Sequence, residues 1–318
     1  MFEEEFVKFP ISFFYNMDKA VVNIFICIQK KEGLKYILRY AKNDIIELEE
    51  LKNYQSKGMS YLFIVESDKD ELNNTLSNST CYEVATENTL ESMNNALELA
   101  SSLFHETGYS PASIQLIEEL NLSLFNKLEQ ESKRSPKGAL IKNILDSKDS
   151  IFFKKVSLHS VLGMDILKKE EWAMQRHYEL FNFMSLFCDI ALTKTDMIYV
   201  STQEEFDESK YSKEDSEVLE THALIAFDLL DGYQAKPINV DLLILEHHGN
   251  KSGIGFSGNV GSSLNKIVVI SRIAETLALE LLKSERDHLN YSFEDVVERV
   301  DEKYDSQRVR NILKSVSL

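Results

Sequence analysis

The sequence predicts an α+β chain, with a small N-terminal mixed α/β module followed by an all-helical domain. Three observations predict it. Near the start, apolar and polar residues alternate with a period of two; further along, apolar residues recur every three and four positions. A stretch rich in Ser, Asn and Thr separates the two patterns. Only 11 Gly and 4 Pro punctuate 318 residues, which favours long, uninterrupted helices.

The elements follow in order. Residues 21–28 are β-branched and apolar, and Lys30-Lys31-Glu32-Gly33 supplies a turn. Leu34, Tyr36, Leu38 and Tyr40 then alternate with Lys35 and Arg39, as in a half-buried strand. Residues 45–54 fit a short helix and 60–65 another strand. This gives an α+β input or docking module over 1–80, with no His cluster, phosphate loop or evident nucleophile. The Ser/Asn-rich composition of 67–90 reads as a linker, and 81–112 as linker and connecting helix. The helical domain takes 113–318. Its helices are expected at 113–129, 137–145, 151–169, 172–186, 216–230, 239–247, 264–283 and 292–303, with an acidic loop over 202–217. Pro111 and Pro136 fall near helix starts, where a missing N–H costs little.

The formal charge is −17, which disfavours binding to a nucleic-acid polymer but leaves room for a small anionic ligand held by a metal. Three scattered cysteines, Cys27, Cys81 and Cys188, do not make a disulfide framework. The acidic first residues are wrong for a signal peptide, and no apolar run is long enough for a membrane span. A soluble, cytoplasmic protein is expected.

Candidate chemistry lies in the second half. Asp189 follows an apolar run from Leu180 to Cys188 and precedes Ile190-Ala191-Leu192, so its carboxylate is expected to be buried. A buried carboxylate is costly unless paired or metal-bound, although an Asp can also cap a turn. His159, His222, His247 and His248 each lie on an apolar helical face. One such His is more often a hydrogen-bonded core residue. Four of them with a buried Asp suggest imidazole and carboxylate ligands for Fe, Mn or Zn. Five of the eleven glycines fall between Gly249 and Gly261, directly after the His pair, and would let backbone approach a ligand.

In chain order these motifs resemble the HD-GYP family, metal-dependent phosphodiesterases of cyclic di-GMP within the HD superfamily. The resemblance runs from about Ser113 to the C-terminus. His159-Ser160 matches the family's first His. Cys188-Asp189-Ile190-Ala191-Leu192 stands where the family has His-Asp-Ile-Gly-Lys, and Thr221-His222 matches the lone His. His247-His248-Gly249, with Ser252-Gly253-Ile254-Gly255-Phe256-Ser257, matches the GYP segment, and Ser271-Arg272-Ile273-Ala274 the Arg-Ile helix.

The resemblance implies metal ligands at His159, Cys188, Asp189, His222, His247 and His248, and nucleotide contacts at Gly253, Gly255 and Phe256; Arg286 is a candidate for a second contact to a phosphate. It also marks departures. One metal site would read His159, Cys188, Asp189 and Ala278, with two ligand types replaced. The second, Asp189, His222, His247 and His248, is retained. The extra Glu of three-metal members is Lys155, and the Lys that follows the His-Asp pair is Leu192. These changes imply one divalent transition metal rather than two, Fe or Mn, or none at all. The expected function is a degenerate signalling protein that binds cyclic di-GMP or a related nucleotide, or a partner protein, with little or no hydrolysis. An active phosphodiesterase or phosphohydrolase with an altered metal site is the alternative, and a purely structural module, free to oligomerise, is the third reading.

Overall fold

A computed structural model describes residues 5–15, 17–30, 33–107, 110–192, 194–231, 233–261, 263–289, 291–304 and 306–316. Four strands form one antiparallel sheet in the order β1-β4-β2-β3: β1 (Phe6–Pro10), β2 (Ile24–Lys30), β3 (Gly33–Tyr40) and β4 (Tyr61–Val65). β2 and β3 pair from Ile24↔Tyr40 to Lys30↔Gly33. Of the turn expected between them, Lys31 and Glu32 lie outside the described residues, as do the first four residues of the chain. β4 shows why strands form here. Leu62 and Ile64 are buried while Tyr61 is exposed, the alternation that the pleat imposes on a sheet with one covered face.

A short helix, α1 (Leu48–Ser56), buries Leu51. The rest of the chain is helical: α2 (Lys69–Glu87), α3 (Leu90–Thr107), α4 (Pro111–Arg134), α5 (Lys137–Asp146), α6 (Ile151–Leu167), α7 (Gln175–Phe187), α8 (Gln203–Glu208), α9 (Lys213–Leu229), α10 (Val240–Leu245), α11 (Lys266–Arg286), α12 (Phe293–Lys303) and α13 (Gln307–Leu313). Side-chain caps mark several starts. Ser110, Ser150, Ser212 and Ser292 each accept from a backbone N–H one turn into the helix that follows, satisfying a donor with no intrahelical partner.

The segment expected to be a linker, 67–90, is largely the helix α2. Leu72, Leu76 and Val84 bury one stripe of it, and the helix packs against α3 and α4. Tertiary packing therefore overrides a composition poor in helix formers. The acidic loop expected over 202–217 contains α8 and the start of α9. β1 and α13 are additional elements.

α6 and α11 lie side by side at the centre of the helical part and are buried along nearly their whole length. That burial gives the site its character, because a polar side chain on these two helices is costly unless it finds a partner inside the protein. No described helix is long and apolar enough to cross a membrane. Cys27, Cys81 and Cys188 are free thiols.

Candidate metal centre

Asp189, His222, His247 and His248 converge, with one ligand atom from each lying within 4.8 Å of the others. All four are at most 3% exposed. Local structure explains their placement. α7 ends at Phe187, so Asp189 sits in the turn beyond it rather than on the helix. His222 faces inward from the middle of α9, and α10 stops at Leu245 to leave His247 and His248 in the turn that follows.

The hydrogen bonds assign the imidazole tautomers. Nδ1 of His222 lies 2.6 Å from the Leu219 carbonyl, and Nδ1 of His247 lies 2.6 Å from the Ile244 carbonyl. A carbonyl only accepts, so each neutral ring carries its proton on Nδ1 and presents a bare Nε2. His248 is the reverse. Nη1 of Arg272 donates to its Nδ1 at 2.7 Å, which leaves the proton of the neutral ring on Nε2.

His222 Nε2 is 2.9 Å from His248 Nε2, a good donor–acceptor pair, but only 3.1 Å from His247 Nε2. Without an ion the lone pair of His222 Nε2 accepts from His248, and the His247 lone pair stands 3.1 Å from the same nitrogen with no proton between them, a repulsion that a cation would relieve. Nitrogens bound to one metal at about 2.1 Å stand roughly 3.0–3.4 Å apart. Ring N–H groups held by backbone carbonyls are also the usual support for metal-bound imidazoles. Asp189 Oδ1, 3.7 Å from His222 Nε2, adds a carboxylate to the pair. The donor set therefore fits a divalent metal ion.

On its other oxygen Asp189 meets a second network. Lys155 Nζ of α6 lies 2.5 Å from Asp189 Oδ2 and 2.7 Å from Glu275 Oε1 of α11. Glu275 Oε2 accepts from Arg272 at 3.2 Å, and Arg272 also donates to the Ser201 carbonyl. Two carboxylates thus face two cations, which is what allows four charged side chains to be buried together. Burial alone would raise the Asp189 and Glu275 carboxyls, but the Lys155 ammonium more than reverses this and holds both below their ordinary values. Burial pushes His159 and His222 down to about 4, and lowers His247 and His248 as well.

The remaining expected residues are placed as follows. His159 is buried one turn beyond Lys155, bonds Ser271 Oγ through Nε2 at 2.9 Å, and packs edge-on against Phe181. Its Nδ1 has no partner. Burial and the neighbouring Asp189 push the Cys188 thiol well above its ordinary value, and its Sγ lies 3.4 Å from Asp189 Oδ2. Neither residue belongs to the converging four. Phe256 is buried with its ring 4.5 Å from that of His248 and 5.9 Å from that of His222. Gly253 (φ +69°) and Gly255 (φ +76°) hold the loop in the left-handed region. A Cβ at Gly253 would meet Leu245 at 2.4 Å, and the Gly255 N–H ties the loop to the Glu220 carbonyl of α9. Arg286 is half exposed at the end of α11, paired with Asp287 and stacked over Tyr199. Ala278 is fully buried.

Glu275 is the site residue that sequence reading missed, and Lys155 was read only as the replacement of a family ligand. The signal for Glu275 was present in the sequence: Ser271, Arg272 and Glu275 are polar positions sharing one face of the fully buried middle of α11.

No family model and no curated protein matches the chain. Among solved structures, it is similar to Bd1817, an HD-GYP protein from Bdellovibrio bacteriovorus, with a TM-score of 0.51 at 14% sequence identity over 98% of this chain and 99% of that one. A likeness of that extent and low identity is a likeness of fold: the chain has an HD-GYP-like α+β fold, a small antiparallel sheet followed by a helical HD-type domain.

Proposed function

We propose that the chain is a degenerate HD-GYP-type signalling protein that binds cyclic di-GMP or a related nucleotide and hydrolyses it little or not at all. The supporting observation is the buried set Asp189, His222 and His247, whose bare donor atoms face one another beside a carboxylate pair already closed by Lys155. Two imidazoles and a carboxylate suit Fe²⁺ or Mn²⁺. When bound, such an ion would supply Lewis acidity to a phosphate oxygen.

The chain's own residues define what surrounds that ion. His222 and His247 are oriented by the carbonyls of Leu219 and Ile244. His248, held by Arg272, presents an N–H rather than a third lone pair, and that N–H points at His222 Nε2. Phe256 and the Gly253–Gly255 loop form an apolar wall beside it. Leu192 is buried and apolar, so it offers no cation to charge developing on a phosphate during hydrolysis. The chemistry left to the site is binding and orientation more than bond cleavage.

The second reading, an active phosphodiesterase, is favoured by one feature: the retained ligands are already oriented for a metal. Calorimetric titration of the Mn²⁺-loaded protein with cyclic di-GMP tests the binding claim. Saturable binding, lost on chelation and in His247→Ala, is expected. A titration with no binding would overturn the nucleotide reading.

A further inference from the structure

We infer that Lys155 is a resident cation that occupies the carboxylate side of the centre, so that the site takes one divalent ion and excludes a second. The inference rests on the metal reading above and adds a stoichiometry to it.

Its basis is a juxtaposition. Lys155 is 2% exposed, and its Nζ sits between Asp189 Oδ2 at 2.5 Å and Glu275 Oε1 at 2.7 Å. Two buried carboxylates whose oxygens converge on one point make a cation seat. Metal–oxygen bonds of roughly 2.0–2.2 Å would place a divalent ion close to where the ammonium nitrogen lies. The seat can hold one or the other. His159, one turn further along α6, has a buried Nδ1 without a partner.

Charge balance points the same way. Asp189 and Glu275 bring two negative charges, and Lys155 and Arg272 bring two positive ones. A divalent ion added on this side would sit directly against a fixed ammonium, at the short range and low dielectric where that repulsion is largest. On the imidazole side Asp189 Oδ1 remains free to join His222 and His247. Lys155 thus divides the shared carboxylate, with one oxygen for the ammonium and one for the metal, and fixes its orientation.

The test is metal content and electron paramagnetic resonance of the full chain saturated with Mn²⁺ and then desalted. The wild type is expected to hold one Mn²⁺ per chain, with the six-line signal of an isolated ion. Lys155→Met, which empties the seat but leaves both carboxylates, is expected to hold two, with a spin-coupled signal. Lys155→Met combined with Glu275→Gln is expected to return to one. Two ions in the wild type would overturn the role of Lys155 while leaving the metal reading intact, as would a folded Lys155→Met chain that still holds one. No ion in the wild type would remove the metal reading itself, and this inference with it. Should Lys155→Met fail to fold, the wild-type count decides: one ion supports the inference and two overturn it.

Discussion

Nη1 of Arg272 lies 2.7 Å from Nδ1 of His248, and because a guanidinium only donates, this contact sets the tautomer of a buried imidazole outside α11, while the same guanidinium pairs with Glu275 one turn along its own helix. The Arg272 side chain is 2% exposed and bridges three groups: His248, Glu275 and the Ser201 carbonyl.

The first prediction concerns that bridge. Nitrogen-15 NMR of the metal-free protein should find His248 protonated on Nε2, and His222 and His247 protonated on Nδ1. Arg272→Met should release His248 from that tautomer and lower stability by about 3 kcal/mol, because it strands a buried carboxylate oxygen and a carbonyl. Urea unfolding measures the loss. A variant as stable as the wild type would contradict the bridging role.

Metal affinity should follow the donor atoms. His222→Ala and His247→Ala should each weaken Mn²⁺ binding by roughly 100-fold or more, beyond the 10–100-fold typical of outer partners. Cys188→Ala should change it only a few-fold, since Cys188 is a protonated thiol outside the converging four. Equilibrium dialysis distinguishes these outcomes, and equal losses in all three variants would contradict the assignment.

Stability of the metal-free protein should fall with acid. Burial pushes His159 and His222 from 6.5 to about 4. Between those values the unfolded chain takes up protons that the folded chain refuses, so stability is full above pH 6.5 and is lost as the pH falls toward 4. The upper bound is roughly 3 kcal/mol per imidazole at 1.36 kcal/mol per pKa unit. Chemical denaturation at a series of pH values, with chelator present, reads the slope. A flat profile over that window would contradict the buried, neutral histidines.

Gly163 sits where α6 meets α7. A Cβ there would lie 1.8 Å from Phe181 Cζ, and Phe181 packs edge-on against His159. Gly163→Ala should therefore destabilise by about 1–3 kcal/mol through overpacking, despite the better helix propensity of Ala. Denaturant midpoints check the sign, and a stabilised variant would contradict this packing.

These residues also show how much was legible in the sequence. α6, α9 and α11 could be read because their apolar residues recur at helical spacing, and that same spacing put His159 and His222 on inward faces. α2 could not be read, because its helix depends on packing against α3 and α4 rather than on residues such as Asn73 and Ser77, which it buries. β1 was hidden because five residues at the chain start make a strand only when β4 lies alongside. In the site, the histidines and Asp189 stood out as polar residues in apolar surroundings. Lys155 read as a substitution rather than as a group with a role. Its partner Glu275 lies 120 positions away, a separation that no local pattern spans. Tautomers depend on carbonyls and a guanidinium brought together by folding, so no sequence spacing encodes them.

Turnover of cyclic di-GMP, and of its linear product, by protein loaded with Mn²⁺ or Fe²⁺ and followed by chromatography separates a binding site from a catalytic one. Bound but intact nucleotide is expected. Leu192 offers no cation to the developing charge, and Lys155 holds the carboxylate seat beside the metal site. Robust hydrolysis that disappears in His247→Ala would contradict it and establish that Asp189, His222 and His247 suffice for a working phosphodiesterase.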